Sequence, residues 1–233
     1  MGNEVFELRN YKVDPARRRE FIDHFEKQLI HSQEAEGIAI LGQFEVVEEP
    51  DRFVWIRGFP NMRSRAASLS AFFDGKVWAE HGPLANDIME QWDDVYLLRP
   101  TPSSPPIAPS YRPNIGGPPP IRDAGGSCVL VLVSVFEGAR DELPNDFAVQ
   151  WINHLRSAGC SEIARFVAEP TENDFLRLPV KQEEGTVVVL AEAPSRDHAR
   201  QLLGSLRDLQ PASSRVLLLR PTPRSFLPEQ SAR

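Results

Sequence analysis

His81 is the residue of this sequence whose type and position offer the most direct acid–base chemistry. It follows Trp78 by three positions, so the two side chains share one face if this stretch is helical. Gly82 and Pro83 come next, and a proline disfavours the helical conformation in the residue before it. We therefore expect His81 at a break in the helix, where its imidazole can act in a cleft as a general acid or base. A helix cap or a buried hydrogen-bonding histidine is the structural alternative.

Polar and aromatic side chains alternate along two predicted strands. Glu7, Arg9 and Tyr11 share one face of the first predicted strand. Phe53, Trp55 and Arg57 share one face of the third. An arginine beside aromatic rings can orient a carboxylate, a phenolate or an enolate. Arg57 can equally form a salt bridge with Glu7 or Glu45. Gln43, on the strand predicted between these two, can hold a carbonyl group or make a hydrogen bond within a barrel interface.

The sequence contains no recognisable metal or nucleotide motif. His24 and His31 are seven residues apart on a predicted helix, which separates them by about 10 Å, too far to share one metal ion. We expect both to be structural and to face solvent. A glycine-rich phosphate loop, an H-E-x-x-H pair and a G-x-S-x-G elbow are all absent from the sequence. No metal site and no cofactor are therefore expected.

Two blocks of the chain end alike, which indicates an internal repeat. The first block ends V-Y-L-L-R-P-T-P at residues 95–102, and the second ends V-L-L-L-R-P-T-P at residues 216–223. Between them, nine of the 21 prolines lie in residues 100–120, so residues 101–126 have the composition of a linker. The predicted organisation is a first module at 1–100, a linker at 101–126, a second module at 127–224 and a tail at 225–233.

Each block has the element order β-α-β-β-α-β, the ferredoxin-like arrangement. In the first block, Asp14 and Pro15 are typical of a helix start, Gly37 of its end, and Asn61 of the cap of a second helical region. Asp74-Gly75 interrupts that region. The first block's predicted strands are residues 5–11, 38–47, 53–58 and 95–99, and the second block's are 129–136, 162–168, 186–191 and 216–219. In the second block, the first predicted helix ends at Gly159 and the second begins after Ser195.

Such a module leaves one face of its four-stranded sheet uncovered, and an apolar face must be buried. Two modules in one chain can pack sheet against sheet. We therefore predict an α+β fold in which the two ferredoxin-like modules form an intramolecular pseudo-dimer, an α+β barrel. Further homo-oligomerisation is left open.

The first module resembles the NIPSNAP family over residues 4–100. The matching pieces occur in order across the module, at residues 21–25, Gly37, 41–44, 51–59, 63–73, 77–81, Ala85, Asn86, Met89 and 94–100. The resemblance implies a dimeric α+β barrel, in a superfamily that includes cofactor-free monooxygenases, isomerases, dehydratase-like enzymes and haem proteins. The second module matches only in element order and closing strand, so we interpret it as a diverged copy.

The candidate site therefore lies in the first module. Its predicted catalytic residues are His81, Arg57 and Tyr11, and its predicted substrate-binding residues are Arg9, Gln43, Trp55, Trp78 and Asn86. Aligning the closing strands of the two copies places Trp78 at Ala199 and His81 at Leu202. The second copy thus lacks the polar set, and we expect it to act mainly as scaffold.

Composition excludes several function classes. The formal net charge is -7, and scattered lysines and arginines give no basic patch for nucleic acid or an anionic membrane. No apolar stretch approaches the ~20 residues that span a bilayer, and the first residues lack a signal-peptide pattern. Cys128 and Cys160 are read as reduced thiols, which together with these features predicts a cytoplasmic protein.

Three functions are compatible with these residues. The first is a cofactor-independent enzyme, of the isomerase, dehydratase or monooxygenase type, that acts on an aromatic or polyketide-like metabolite. The second is a non-catalytic ligand-binding or interaction protein of the NIPSNAP family. The third is a haem protein with His81 as axial ligand, which the resemblance to this superfamily suggests.

Overall fold

The computed structural model describes residues 2–107, 128–135, 145–209 and 214–227. This part of the chain contains nine strands, six α-helices and one π-helical turn. The strands are β1 (Val5–Val13), β2 (Ala39–Val46), β3 (Arg52–Phe59), β4 (Met89–Gln91), β5 (Val95–Pro100), β6 (Cys128–Val135), β7 (Ser161–Ala168), β8 (Thr186–Ala193) and β9 (Ser214–Pro221). The helices are α1 (Arg18–His24), α2 (Ile30–Ala35), α3 (Met62–Phe73), α4 (Lys76–Ile88), α5 (Asn145–Ser157) and α6 (Arg196–Leu209). The π-helical turn, Phe25–Leu29, joins α1 to α2.

Eight of the strands close an antiparallel barrel within the single chain. The order around the barrel is β1, β3, β2, β9, β6, β8, β7 and β5, which returns to β1. The two halves of the chain meet at two seams, where β2 pairs with β9 and β5 pairs with β7. The short β4 adds to β1 outside this ring. The barrel leaves none of its eight strands with an unpaired edge, because each has a neighbour on both sides.

Apolar side chains from both halves fill the barrel. Phe6 and Phe166, one from each half, contact each other in this cluster, with ring centroids 5.0 Å apart. Alternate residues of each strand point inward, as the strand period requires. The buried interior includes Leu8, Leu41, Val54, Ile56, Leu98, Val129, Val131, Ala164, Val188, Leu190, Leu217 and Leu219. The opposite strand faces pack against the helices, in one apolar cluster for each half.

Most predicted elements have a counterpart, and their local signals act as expected. Asn61 caps α3 by accepting a hydrogen bond from the Ser64 backbone amide at 2.9 Å. Gly37 and Gly159 both adopt positive φ angles after helices, 81° and 74°. Residues 108–126 of the predicted linker, Phe136 and the tail residues 228–233 lie outside the described residues.

Two local predictions for helices are wrong. The first helix begins at Arg18, not at Pro15, because Asp14 is used in the preceding turn, where its carboxylate accepts from the Ala16 amide. The predicted break at His81 is absent, since α4 continues through Pro83 to Ile88. Pro83 therefore removes one backbone hydrogen-bond donor from α4 but does not end the helix.

The chain after β9 extends the barrel seam along β2. The Thr222 amide donates to the Gln43 carbonyl and the Leu227 amide donates to the Leu41 carbonyl, both at 2.9 Å. Leu227 is buried in the barrel cluster. Among the described residues, no helix combines the length and apolar character needed to span a bilayer.

Because one interior serves both halves, Phe166→Ala should destabilise the whole barrel. Loss of a buried phenylalanine costs about 3–5 kcal/mol in unfolding free energy. We expect a single urea transition at lower midpoint, seen alike by far-UV circular dichroism and by tryptophan fluorescence. The control is Leu176→Ala, since that side chain is 84% exposed and its loss should change little. Separate transitions for the two halves would contradict a shared core.

Candidate functional site

A cavity lies in the first half, between the outer face of β1 and β3 and the helices that cover it. The volume of the cavity is about 40 Å³, and the wider space of about 360 Å³ around it includes open solvent. Its lining is mainly aromatic and apolar, with three polar side chains. The lining residues are Tyr11, Phe21, Phe25, Leu29, Gln33, Trp55, Arg57, Phe72, Phe73, Trp78, Ala85 and Met89.

Four of the eight predicted site residues line this cavity: Tyr11, Trp55, Arg57 and Trp78. Arg9 is fully buried beneath it, with its guanidinium 5.6 Å from the centre of the Trp55 ring. Gln43 is also buried, opposite Trp55 in the β2–β3 register, but it is not among the lining residues.

The two other predicted residues, His81 and Asn86, lie on α4 away from the lining. Asn86 is exposed. The His81 carbonyl accepts a hydrogen bond from His24 Nε2 at 2.8 Å, and the two rings are 5.6 Å apart. His31 is exposed as predicted, whereas His24 is half-buried by this contact. Among the described residues, no three His, Cys, Asp or Glu side chains form a group that could hold a metal ion.

A π-helical turn arranges the helical wall of the cavity. Phe21, Phe25, Leu29 and Gln33 all line it, at intervals of four residues. An α-helix has 3.6 residues per turn, so side chains four apart drift around its axis with each step. The wider turn Phe25–Leu29 cancels part of that drift and keeps all four side chains on one face. Sequence periodicity identified the apolar face but not Gln33 at its end.

The polar floor of the cavity is organised by one carboxylate. Glu7 is completely buried and binds three guanidinium groups. Its Oε1 accepts from Arg65 Nε at 2.7 Å, and its Oε2 accepts from Arg57 Nε at 2.9 Å and forms a short contact with Arg9 Nη1. These contacts join β1, β3 and α3. Of the two salt bridges considered for Arg57, the one to Glu7 is present.

Arg65 is a member of this cluster that the sequence analysis missed. It is fully buried on α3, on the same face as Leu69 and Phe72. These three positions follow the spacing i, i+4, i+7 of a buried helix face. The signal was therefore present in the sequence: an arginine on the apolar stripe of a helix needs a buried partner.

The cluster holds more positive than negative charge. Burial alone would raise the pKa of the Glu7 carboxyl, but attraction to the three arginines outweighs it and holds the pKa well below its usual range. Burial lowers the pKa of Arg57 to about 10, against the opposing effect of Glu7. Gln33 Oε1 also accepts from Arg57 Nη1 at 3.0 Å. An anion near Arg57 would therefore be stabilised by a desolvated positive charge.

Tyr11 lines the cavity, and its hydroxyl group is held in a fixed orientation. Its oxygen accepts a hydrogen bond from Arg9 Nε at 2.7 Å, and the Arg9 guanidinium lies 5.3 Å from the centre of its ring. The hydroxyl hydrogen has no acceptor among the described residues and can donate to a ligand.

Several buried polar atoms on this floor lack a hydrogen-bond partner among the described residues. They are Arg9 Nη2, Arg65 Nη2, Trp55 Nε1, and the amide nitrogen and oxygen of Gln43. Buried polar groups are nearly always satisfied, so such a concentration is typical of a site that takes a polar ligand or water. Of these residues Trp55 lines the cavity, so its indole N–H can donate to an acceptor oxygen of a ligand.

The family comparison agrees with the resemblance seen in the sequence. The NIPSNAP family model matches residues 6–105. A solved structure of a NIPSNAP-like domain protein from Burkholderia xenovorans is 23% identical and covers 48% of this chain and 98% of its own, with a TM-score of 0.43. The comparison with curated proteins gave no match.

Two other solved structures are similar along nearly the whole chain. One is a putative monooxygenase from Lactobacillus acidophilus, 12% identical, covering 94% of both chains with a TM-score of 0.53. The other is a putative monooxygenase from Fusobacterium nucleatum, 8% identical, covering 94% of this chain and 93% of its own with a TM-score of 0.54. At these identities the likeness concerns the fold alone.

Replacing the central carboxylate, Glu7→Gln, should destabilise the protein strongly. Removing one partner of a buried ion cluster costs about 3–5 kcal/mol in unfolding free energy, because it leaves uncompensated charge. Since folding lowers the pKa of Glu7, its contribution is complete above the unfolded pKa and is lost as pH falls through the folded pKa.

Urea unfolding measured from pH 7 to pH 3 tests both the loss of stability in Glu7→Gln and the dependence of stability on pH. The wild type should lose stability as pH falls below about 4.5, and the variant should show a shallower dependence there. Glu172→Gln, at an exposed position, is the matched control. Equal stability of the wild type and Glu7→Gln at pH 7 would contradict the role of Glu7.

Proposed function

Because residues 6–105 form a NIPSNAP domain, we propose that this protein is a small-molecule enzyme whose pocket lies in that domain and works without a bound cofactor. The observation that carries the proposal is the presence of both Tyr11 and Arg57 in the lining of a cavity that is otherwise mainly aromatic and apolar. The substrate class is an aromatic or polyketide-like metabolite, whose rings match the lining of Phe25, Trp55 and Trp78.

The chemistry that fits this pairing begins with removal of a proton next to a carbonyl group. The resulting enolate oxygen would be stabilised by Arg57, a buried positive charge that Glu7 and Gln33 hold in place. Tyr11 is the lining residue that would take this proton: its own hydroxyl proton first passes to water, and the phenolate then accepts the proton from the substrate carbon and can return it. Arg9 holds its oxygen from behind, so the hydroxyl faces the substrate.

Three reaction types start from such an anion, and all three remain within the proposal. Isomerisation returns the proton to a different carbon, dehydration expels hydroxide from the neighbouring carbon, and oxygenation adds O2 as a second substrate. Two proteins that share the whole fold are called putative monooxygenases. Oxygen consumption therefore belongs among the activities to test.

Tyr11 takes the role that the sequence analysis gave to His81. His81 lies outside the cavity lining and contacts His24 on the neighbouring helix. A proton transfer needs hydrogen-bond reach between the acid or base and the substrate. The proposal keeps Arg57, Trp55 and Trp78 in their predicted roles and assigns Arg9 to positioning Tyr11.

We infer that the domain arrangement behind this function is a pair of ferredoxin-like modules. In each half the four barrel strands, numbered along that half, have the order 4-1-3-2, which is the ferredoxin-like order. We infer a module at 1–100, a linker at 101–126, a diverged module at 127–224 and a tail at 225–233. A single chain allows one module to keep the cavity while the other diverges.

Hydrogen–deuterium exchange of a substrate carbon tests the proposed chemistry without knowledge of the product. A panel of aryl ketones is incubated with the protein in D2O, and loss of the proton next to the carbonyl is followed by NMR. Tyr11→Phe should slow the catalysed exchange by about 100-fold or more, the usual effect of losing a general acid or base. Binding, followed by tryptophan fluorescence, should change much less.

His81→Ala serves as the control variant and should exchange at the wild-type rate. Oxygen uptake and product analysis on the same panel identify which reaction follows the exchange. Ketone binding with no acceleration of exchange over buffer would contradict an enzyme and favour the ligand-binding alternative.

A further inference from the structure

The loop between β7 and β8, residues 169–185, reaches from the second half of the chain to the cavity of the first. Its end is held by β5, where the Leu97 amide donates to the Lys181 carbonyl at 3.1 Å. Near its middle, Asn173 fixes the turn, since its Oδ1 accepts from the Phe175 amide and its Nδ2 donates to the Leu178 carbonyl. The second half therefore contributes more than the scaffold that the sequence suggested.

Phe175 of this loop supports one wall of the cavity. It is buried and stacks on Phe73, with ring centroids 5.9 Å apart and planes 20° apart. Arg177 lies over both rings and forms an ion pair with Asp74 at 2.7 Å. Phe73 in turn contacts Trp78 at 4.8 Å between centroids, and both line the cavity.

Asp174 of the same loop joins the buried charge cluster. Its Oδ1 accepts from Arg65 Nη1 at 2.8 Å, and Asn173 Oδ1 accepts from the same nitrogen at 3.0 Å. Arg65 Nε binds Glu7, and Glu7 binds Arg57 at the cavity. A continuous line of ion pairs therefore connects Asp174 to the group that meets the ligand.

With Asp174 included, the positive and negative charges of the cluster nearly balance, and Asp174 sets the size of the positive surplus. Arg9, Arg57 and Arg65 give three positive charges, and Glu7 and Asp174 give two negative ones, which leaves a surplus of one. Without Asp174 the surplus would be two. The Asp174 side chain is 31% exposed, so it can be altered without opening the core.

We propose that Asp174 is a specificity-determining residue that the second half supplies, and that the site takes an aromatic ligand with a single anionic oxygen. This inference rests on the proposed function, and it names the ligand charge and the residue that sets it. The single surplus charge matches one carboxylate, phenolate or enolate. Phe175 keeps the aromatic wall in place for the ring of that ligand.

Benzoate and its neutral analogue benzamide test the proposal, because they differ in charge and little in shape. Their dissociation constants are measured by calorimetry for the wild type, Asp174→Asn and the control Glu172→Gln. Asparagine retains an oxygen for Arg65 and removes only the charge. A unit charge about 10 Å away, at an effective dielectric constant of about 40, changes anion binding on the order of fourfold.

The expected result is that the wild type prefers benzoate, that Asp174→Asn increases this preference about fourfold, and that Glu172→Gln leaves it unchanged. A purely structural role of Asp174 would change the affinity for both compounds alike. If benzoate binds the wild type but Asp174→Asn leaves the preference unchanged, the inference is overturned and the proposed function stands.

If the wild type binds neither compound, the proposed ligand class fails, and the role of the loop is decided by hydrogen exchange of the free protein. Phe175→Ala should speed deuterium uptake in peptides covering residues 70–80, because Phe73 loses its stacking partner. Leu176→Ala, at a neighbouring exposed position, should not. Unchanged uptake in Phe175→Ala would overturn the role of the loop in the cavity wall.

Discussion

The buried Glu7 carboxylate binds the guanidinium groups of Arg9, Arg57 and Arg65, and the candidate site depends on these contacts. A carboxylate without exposed surface is tolerated only when paired, and three buried arginines need at least one acceptor among them. Because the arginines come from β1, β3 and α3, satisfying their charges also fixes the helix over the sheet. The cavity is the space left between this polar floor and the aromatic side chains above it.

The elements of the first half follow from local signals in the sequence. Asn61 and Gly37 mark helix boundaries by mechanisms that act within a few residues, and strand alternation placed Tyr11, Trp55 and Arg57 on the faces where they are found. These predictions hold because they depend on backbone geometry alone.

The features that the sequence did not reveal depend on contacts between distant parts of the chain. Pro83 is accommodated inside α4, so His81 is not released into a cleft. Asp174 reaches Arg65 across more than a hundred residues. No local pattern identifies such a partner.

The two halves of the chain differ in what they contribute to the candidate site. Its first half matches the NIPSNAP family model and contains the cavity, while its second half completes the barrel and extends a loop to the first. A barrel made by two identical chains would repeat every change on both sides. In one chain, the β7–β8 loop is free to adapt to a single cavity.

The proposed binding of an aromatic anion at Arg57 and Tyr11 is tested most directly by a crystal structure of the protein with benzoate. We expect the ring to lie between Trp55 and Trp78, with a carboxylate oxygen within hydrogen-bond distance of both Arg57 and the Tyr11 hydroxyl. A benzoate bound in the cavity with its carboxylate directed away from Arg57, or bound only elsewhere, would contradict it.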